Sequence, residues 1–227
     1  MSARLAFRLA VIAALVMLGI GALMGVTAPS CSPLPMTAMT AFELARSAGD
    51  LLRIFGDPGE TCRAPLVVQL DHANVLDAAG YIPAYTAFYA LVLFGLGRHD
   101  VTLGWAGVTV AFVCAIADWI EDVALFHLSA APDAPANWLS LLIAFTNVKW
   151  VGLALATTIG GVILARRGGF GWLGFLACAA PLVSSLWAVI SPDAAGQYLV
   201  PGMAVASVAL LAVAGAGALA KHAALKS

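Results

Sequence analysis

Charge is what this chain has least of. Lysine, arginine, aspartate and glutamate make up 10% of its 227 residues, and the formal net charge is −1. That balance leaves no basic face for nucleic acid. Several catalytic signatures are missing too. The sequence has no Walker A loop, His-Glu-x-x-His, Gly-x-Ser-x-Gly or Cys-x-x-Cys, which excludes the usual P-loop ATPase, zinc-protease, serine-hydrolase and thioredoxin-like chemistries. Of four cysteines, only Cys31 and Cys62 fall outside the apolar runs.

Apolar residues fill the space: they are 62% of the chain, and the mean hydropathy is +0.97. A soluble domain is nearer half apolar. The composition predicts an all-α, polytopic membrane helical bundle, one membrane domain over residues 1–227. At about 20 residues per crossing, six apolar runs are expected to span: 5–26, 75–97, 101–120, 138–164, 170–190 and 198–220. Arg4, Arg8, Arg98, Arg166, Arg167, Lys221 and Lys226 flank alternate ends. The positive-inside rule then predicts an N-in/C-in protein of the bacterial inner membrane. The opposite ends carry Cys31, Cys62, Pro132, Asp133, Pro135, Pro192 and Asp193.

The first run has a second reading. Arg4 and Arg8 precede an apolar stretch ending in Val26-Thr27-Ala28, the pattern of a cleavable signal peptide. Retention is preferred, because the run is long and Pro29 follows the candidate cut. Residues 28–64 are expected outside in both cases. There Met39, Phe42, Ala45, Leu52 and Phe55 recur at helical spacing, with Glu43, Arg46, Asp50 and Arg53 on the other positions. This predicts one amphipathic helix on the outer surface, either a lid or an interfacial anchor, with the anchor preferred. Cys31 and Cys62 bracket the segment and are expected to form a disulfide in an oxidising compartment, against the alternative of two free thiols.

Against so apolar a background, a few charges stand out: Asp77, Asp118, Glu121, Asp122 and Lys149. A charge at the centre of a spanning helix costs about 2.5–3.5 kcal/mol on insertion scales. With a helical rise of 1.5 Å per residue, Asp77, Asp118 and Lys149 fall about 30, 26 and 24 Å from the cytoplasmic ends of their spans, so all belong to one outer layer. Asp118, Glu121 and Asp122 share a face above Gly107, Ala111, Cys114 and Ala115, while Gly152, Ala156 and Gly160 run below Lys149. Such small-residue stripes suit close helix contact, and they turn the charges toward each other. Asn74, Tyr81 and Tyr85 extend the stripe of Asp77, and Pro83 is expected to kink that helix.

Bland counterparts stand beside each of these. Glu121 and Asp122 fit a solvated helix end, and Asp71 and His72 an ordinary surface. Tyr81, Tyr85, Trp138, Trp187 and Tyr198 fit interfacial aromatics. Asp77, Asp118 and Lys149 also fit a register-fixing ion pair. His127 is a weaker candidate for the outer cluster, and Ser184 and Ser185 have no nearby base in sequence.

Phe42-Glu43-Leu44-Ala45 outside the first span, Asp77 followed by Tyr81 and Tyr85, and Asp118-x-x-Glu121 resemble a pattern in uncharacterised bacterial multi-pass proteins. The resemblance covers about the first 130 residues, implies the six-span fold and brings no activity. Two better-known families do not fit. Asp77-Ala78-Ala79-Gly80 lacks the continuation of the CDP-alcohol phosphotransferase motif, and membrane prenyltransferases carry their aspartate-rich motifs on the cytoplasmic side.

Three functions follow as expectations. The first is an outward-facing polar pocket, with a binding role toward a lipid headgroup or small amphiphile, or a structural one. The second is an enzyme for a lipid-linked substrate, with Asp77, Asp118 and Asp122 as candidate ligands of a divalent cation. The third is a small proton-coupled carrier. Membrane lipid is the expected partner in each.

Overall fold

The computed structural model describes residues 1–135 and 137–219. Ala220, Lys221 and Lys226, assigned above to the end of the last span and its cationic flank, lie outside the described residues. Among those described, all regular structure is helical: α1 (Ala3–Leu23), α2 (Ala38–Glu43), α3 (Ala48–Phe55), α4 (Arg63–Leu76), a π-helical turn (Asp77–Tyr81), α5 (Ile82–Leu96), α6 (Val101–Ala130), α7 (Trp138–Ala165), α8 (Gly171–Ile190) and α9 (Pro192–Leu219). Six helices among them are long and apolar enough to cross a membrane, with α4, the π turn and α5 acting as one 34-residue rod. The chain therefore has the composition and architecture of a multi-pass membrane protein.

The six long helices pack as a ring in the order α1, α5, α6, α7, α8, α9, closed where α1 meets α9. Short connections make neighbours antiparallel. Asp100 caps α6 by accepting the Leu103 N–H at 3.0 Å, and Gly168 and Gly169, at φ 74° and 54°, make the left-handed turn between α7 and α8 that a side chain would strain. One end of the ring is cationic. Arg4 reaches the Ala218 carbonyl there, and Arg166 pairs with Asp100. Residues 28–62 cover the other end.

Several helices run further than the apolar pattern suggests. The second long rod begins at Arg63, not residue 75, and α6 continues to Ala130, not residue 120. Glu121 and Asp122 consequently sit mid-helix and are 0% and 2% exposed, which overturns the solvated-end reading. The small-residue faces lie where expected but split between neighbours. A Cβ on Gly152 would strike the Cys114 sulfur of α6, whereas one on Gly160 would press on Leu210 of α9 and Leu93 of α5. Gly152→Ala is thus expected to lose about 1–3 kcal/mol through overpacking. Thermal melting in detergent should recover most of that loss when Cys114→Ala is added. An unchanged single variant would remove the close α6–α7 approach from the argument.

The covering segment differs most from the sequence reading. In place of one amphipathic helix there are two, broken at residues 44–47, because Ser47 and Asp50 form a capping box that starts α3 afresh. The break resets the register. Leu51, Ile54 and Phe55 turn inward while Leu52 is 42% exposed. With Phe42 and Ala45 they pack on Leu66 and Leu70 of α4, on Leu125 and Leu128 of α6 and on Leu142 of α7. A helix resting on a membrane surface would not bury Phe42, Leu51 and Phe55 completely against the protein, so the segment is a cap and the preferred anchor reading is corrected. Cys31 and Cys62 are disulfide-bonded at its base. Thr27 and Ala28 donate their backbone N–H groups to Gln69 at 2.8 and 2.9 Å.

Candidate functional site

Lys149 lies about 16 Å from the capped end of α7, counting 1.5 Å per residue from Trp138. Its ammonium is 2.8 Å from Glu121 Oε2, 3.0 Å from Asp118 Oδ1 and 3.2 Å from Glu43 Oε2. The first two acids come from α6 and the third descends from the cap. On the far side of Asp118, one oxygen each from Asp77, Asp118 and Asp122 lie within 4.8 Å of one another. The five carboxyl groups and the lysine are each between 0% and 7% exposed. The charges expected at one depth do converge, from the α4–α5 rod, α6 and α7, into a single centre.

Asp118 is its hub. While Oδ1 faces Lys149, Oδ2 accepts the Tyr85 hydroxyl at 2.9 Å. Tyr85 is 3% exposed, so it is a contact of the centre and not an interfacial aromatic. Tyr81 is half-buried, set edge-on to Tyr85 at 5.8 Å between ring centroids, and lies over Gly21 of α1. Asn74, one turn before Asp77, is completely buried. Asp71 instead accepts the Ser129 hydroxyl at 2.6 Å, and His72 is exposed. His127, also exposed, stacks on Trp138 at 3.7 Å and does not join. Trp187 and Tyr198 remain outward, stacked on each other.

Pro83 acts on the rod differently from a simple kink. The Ile82 N–H bonds to the Asp77 carbonyl, five residues back, which inserts a π turn at the level of the site. The Ala78 carbonyl thereby loses its α-helical donor, and its next candidate, Pro83, has no N–H. The Trp119 indole of α6 fills that place, donating to Ala78 O at 2.9 Å. The π turn widens the helix where Asp77 must reach α6, and Trp119 fixes the two elements together.

Glu43 is the residue sequence reasoning missed, having been assigned to a polar face. It is 7% exposed, and three groups on one face of α7 hold it. The Thr146 hydroxyl donates to its backbone carbonyl at 3.1 Å, the Trp150 indole to its carboxylate at 3.2 Å, and Lys149 pairs with it. Burial pushes the Glu43 carboxyl up from its ordinary value, and the Lys149 charge opposes that shift. Arg46, next in the cap, donates to Asn147 at 2.8 Å. Burial holds its guanidinium below the ordinary value, and the nearby charge of Glu121 opposes that shift only in part. The available signal was the setting of Glu43, a single acid enclosed by Phe42, Leu44 and Ala45.

Hydrogen bonding is incomplete at the centre. Among the described residues, Asp77 Oδ1, Glu121 Oε1, both Asp122 oxygens and both amide atoms of Asn74 are buried without a hydrogen-bond partner. Such groups carry a desolvation cost of about 1–3 kcal/mol each, more when charged. A cavity of about 220 Å³ opens at the cationic end between Met1, Phe94, Arg98 and Trp105, and none of the site residues line it. No known protein family, curated protein or solved structure matches this chain. The functional reading therefore rests on the geometry.

Proposed function

We propose that this is a multi-pass protein of the bacterial inner membrane, with both termini cytoplasmic. In this reading Asp77, Asp118, Glu121, Asp122 and Lys149, with Asn74, Tyr81 and Tyr85 around them, bind the cationic part of a polar ligand beneath a periplasmic cap. That part is an ion or the headgroup of a small amphiphile. The orientation is supported by Arg4, Arg8, Arg98, Arg166 and Arg167 at one end, against Arg46, Arg53 and Arg63 in the longer covering segment where the rule weakens, and by the Cys31–Cys62 bridge at the other end, since disulfides persist in oxidising compartments.

One observation carries the functional reading: buried acids outnumber buried bases. An ion pair that only fixes helix register needs one acid for one base. Here Glu43, Asp77, Asp118, Glu121 and Asp122 surround Lys149, and counting the half-buried Arg46 still leaves five acids to two bases. A surplus of negative charge shielded from water has to be met by something positive. Protons on the carboxyls are the alternative to a bound cation.

Native mass spectrometry of the protein in nanodiscs tests the reading. The wild type is expected to carry a bound species that the Asp118→Asn/Asp122→Asn variant has lost. Identical spectra from the two would count against a binding centre. In intact cells, a membrane-impermeant maleimide should label Ala134→Cys, exposed beside the cap, and spare His99→Cys, exposed at the opposite end of α6. The reverse pattern would overturn the orientation.

A further inference from the structure

The surplus of acid is not spread evenly. Lys149 answers Glu43, Asp118 and Glu121, yet it makes no ion pair with Asp77 or Asp122 among the described residues. Those two approach Asp118 closely enough for all three to touch one small sphere. Oxygen ligands at 2.0–2.6 Å from a metal ion are separated by at most about twice that distance, and the three carboxylate oxygens lie within 4.8 Å of one another.

Proximity of acids alone would not make a site. A second observation points to a ligand. Asp122 is 2% exposed and turned into the triad, and neither of its oxygens has a donor among the described residues. One turn before Asp77 on the α4–α5 rod, Asn74 is 0% exposed and has an amide oxygen and nitrogen that are equally unpartnered. Buried polar groups are partnered in most folded proteins, and each such exception calls for a water, an ion or a ligand. Asp118 can still contribute although Lys149 and Tyr85 already approach it, because an ionised carboxylate offers about four lone-pair positions.

We propose that Asp77, Asp118 and Asp122, with Asn74 Oδ1 as a fourth oxygen, bind a hard divalent cation. The donor set contains only carboxylate and amide oxygen, which suits Mg2+, Mn2+ or Ca2+ and disfavours metals that select thiolate or imidazole. Three or four protein oxygens leave coordination positions open for water or for a ligand oxygen. This assignment rests on reading the centre as a binder of positive charge, and it names the ion.

The test uses purified full-length protein in nanodiscs, stripped with EDTA and titrated at constant ionic strength with MgCl2, MnCl2 or CaCl2. At least one of these ions is expected to raise Tm saturably, by about 5–10 °C at 100 times its Kd, and Mn2+ should give a bound electron-paramagnetic-resonance signal. Asp122→Asn should abolish both responses, while Asp57→Asn on the exposed cap keeps them. Should Asp122→Asn fail to fold, the Mn2+ signal of the wild type and its competition by Mg2+ decide alone. A wild type indifferent to all three ions but stabilised by lowering the pH would overturn the metal and leave the surplus to protons. Indifference to both metal and pH would overturn the metal assignment and the cation-binding reading together.

Discussion

Lys149→Met should cost about 3–5 kcal/mol, the loss expected when one partner of a buried charge network is removed and the others stay behind. Three carboxylates within 3.2 Å of the ammonium would then face each other with no counter-charge. Removing those charges should repair the damage. Glu43→Gln, Asp118→Asn and Glu121→Gln, placed together in the Lys149→Met background, are expected to recover most of the lost Tm, since neutral amides of nearly the same shape need only hydrogen bonds. Thermal melting in one detergent, with the single and quadruple variants side by side, measures both effects. If Lys149→Met melts with the wild type, the ammonium is not holding the centre together. If the quadruple variant stays as unstable as the single one, packing of the lysine stem outweighs its charge.

The comparison separates stability from binding. The quadruple variant also replaces Asp118, one of the three carboxylates of the proposed cation site, so a version that melts normally should still have lost its response to divalent cations. The centre is in this sense two halves sharing Asp118: an ammonium cage reaching up to the cap, and an acidic triad reaching across to the π turn. Tyr85 sits at the joint, with its hydroxyl on Asp118 Oδ2 at 2.9 Å.

Much of this arrangement could be read from the chain because helical rise is constant. Asp77, Asp118 and Lys149 lie at fixed distances along rods of known pitch, and once the rods alternate in direction their heights follow. The inward aim of Asp118 and Lys149 was legible in the small residues beneath them, since only Gly, Ala and Cys permit α6 and α7 to come so close. The ends of the spans were less legible, because hydropathy drops at a charge whether or not the helix stops there. Glu121 and Asp122 looked like the end of α6 for that reason. With Lys149 and a packed cap to shelter these residues, the helix continues through them to Ala130.

The cap was illegible for a different reason. Its register depends on one interruption, and a single helical wheel drawn through residues 39–55 puts Leu52 inside and Glu43 outside. Ser47 and Asp50 start a second helix, so the wheel applies to neither half. The π turn was hidden in the same way. Pro83 announced a distortion, but the form it takes depends on Trp119 of another helix being placed to receive Ala78 O.

Phe42→Ala carries the other large expected effect, and it acts on the cap. Phe42 is fully buried and set edge-on to Phe55 with ring centroids 4.9 Å apart, joining both short helices to the ends of α4, α6 and α7. Truncating such a residue costs about 3–5 kcal/mol. Most of that loss should appear as easier opening of the cap, because α2 and α3 contribute few of the contacts within the ring and can unseat locally. At 1.36 kcal/mol per decade, hydrogen exchange across residues 38–55 should accelerate by about 10²–10³-fold, with the protected middles of α5 and α7 little changed. Equal acceleration throughout would mean that cap and bundle open as one unit, and no acceleration would mean that Phe42 does not hold the cap. Local opening has a chemical consequence. Glu43 leaves with the cap, while the Cys31–Cys62 bridge keeps the segment tethered at its base. Lys149 then loses one of its three carboxylates as the centre opens, so on the proposed binding reading a ligand would enter by the same movement that weakens the ammonium cage.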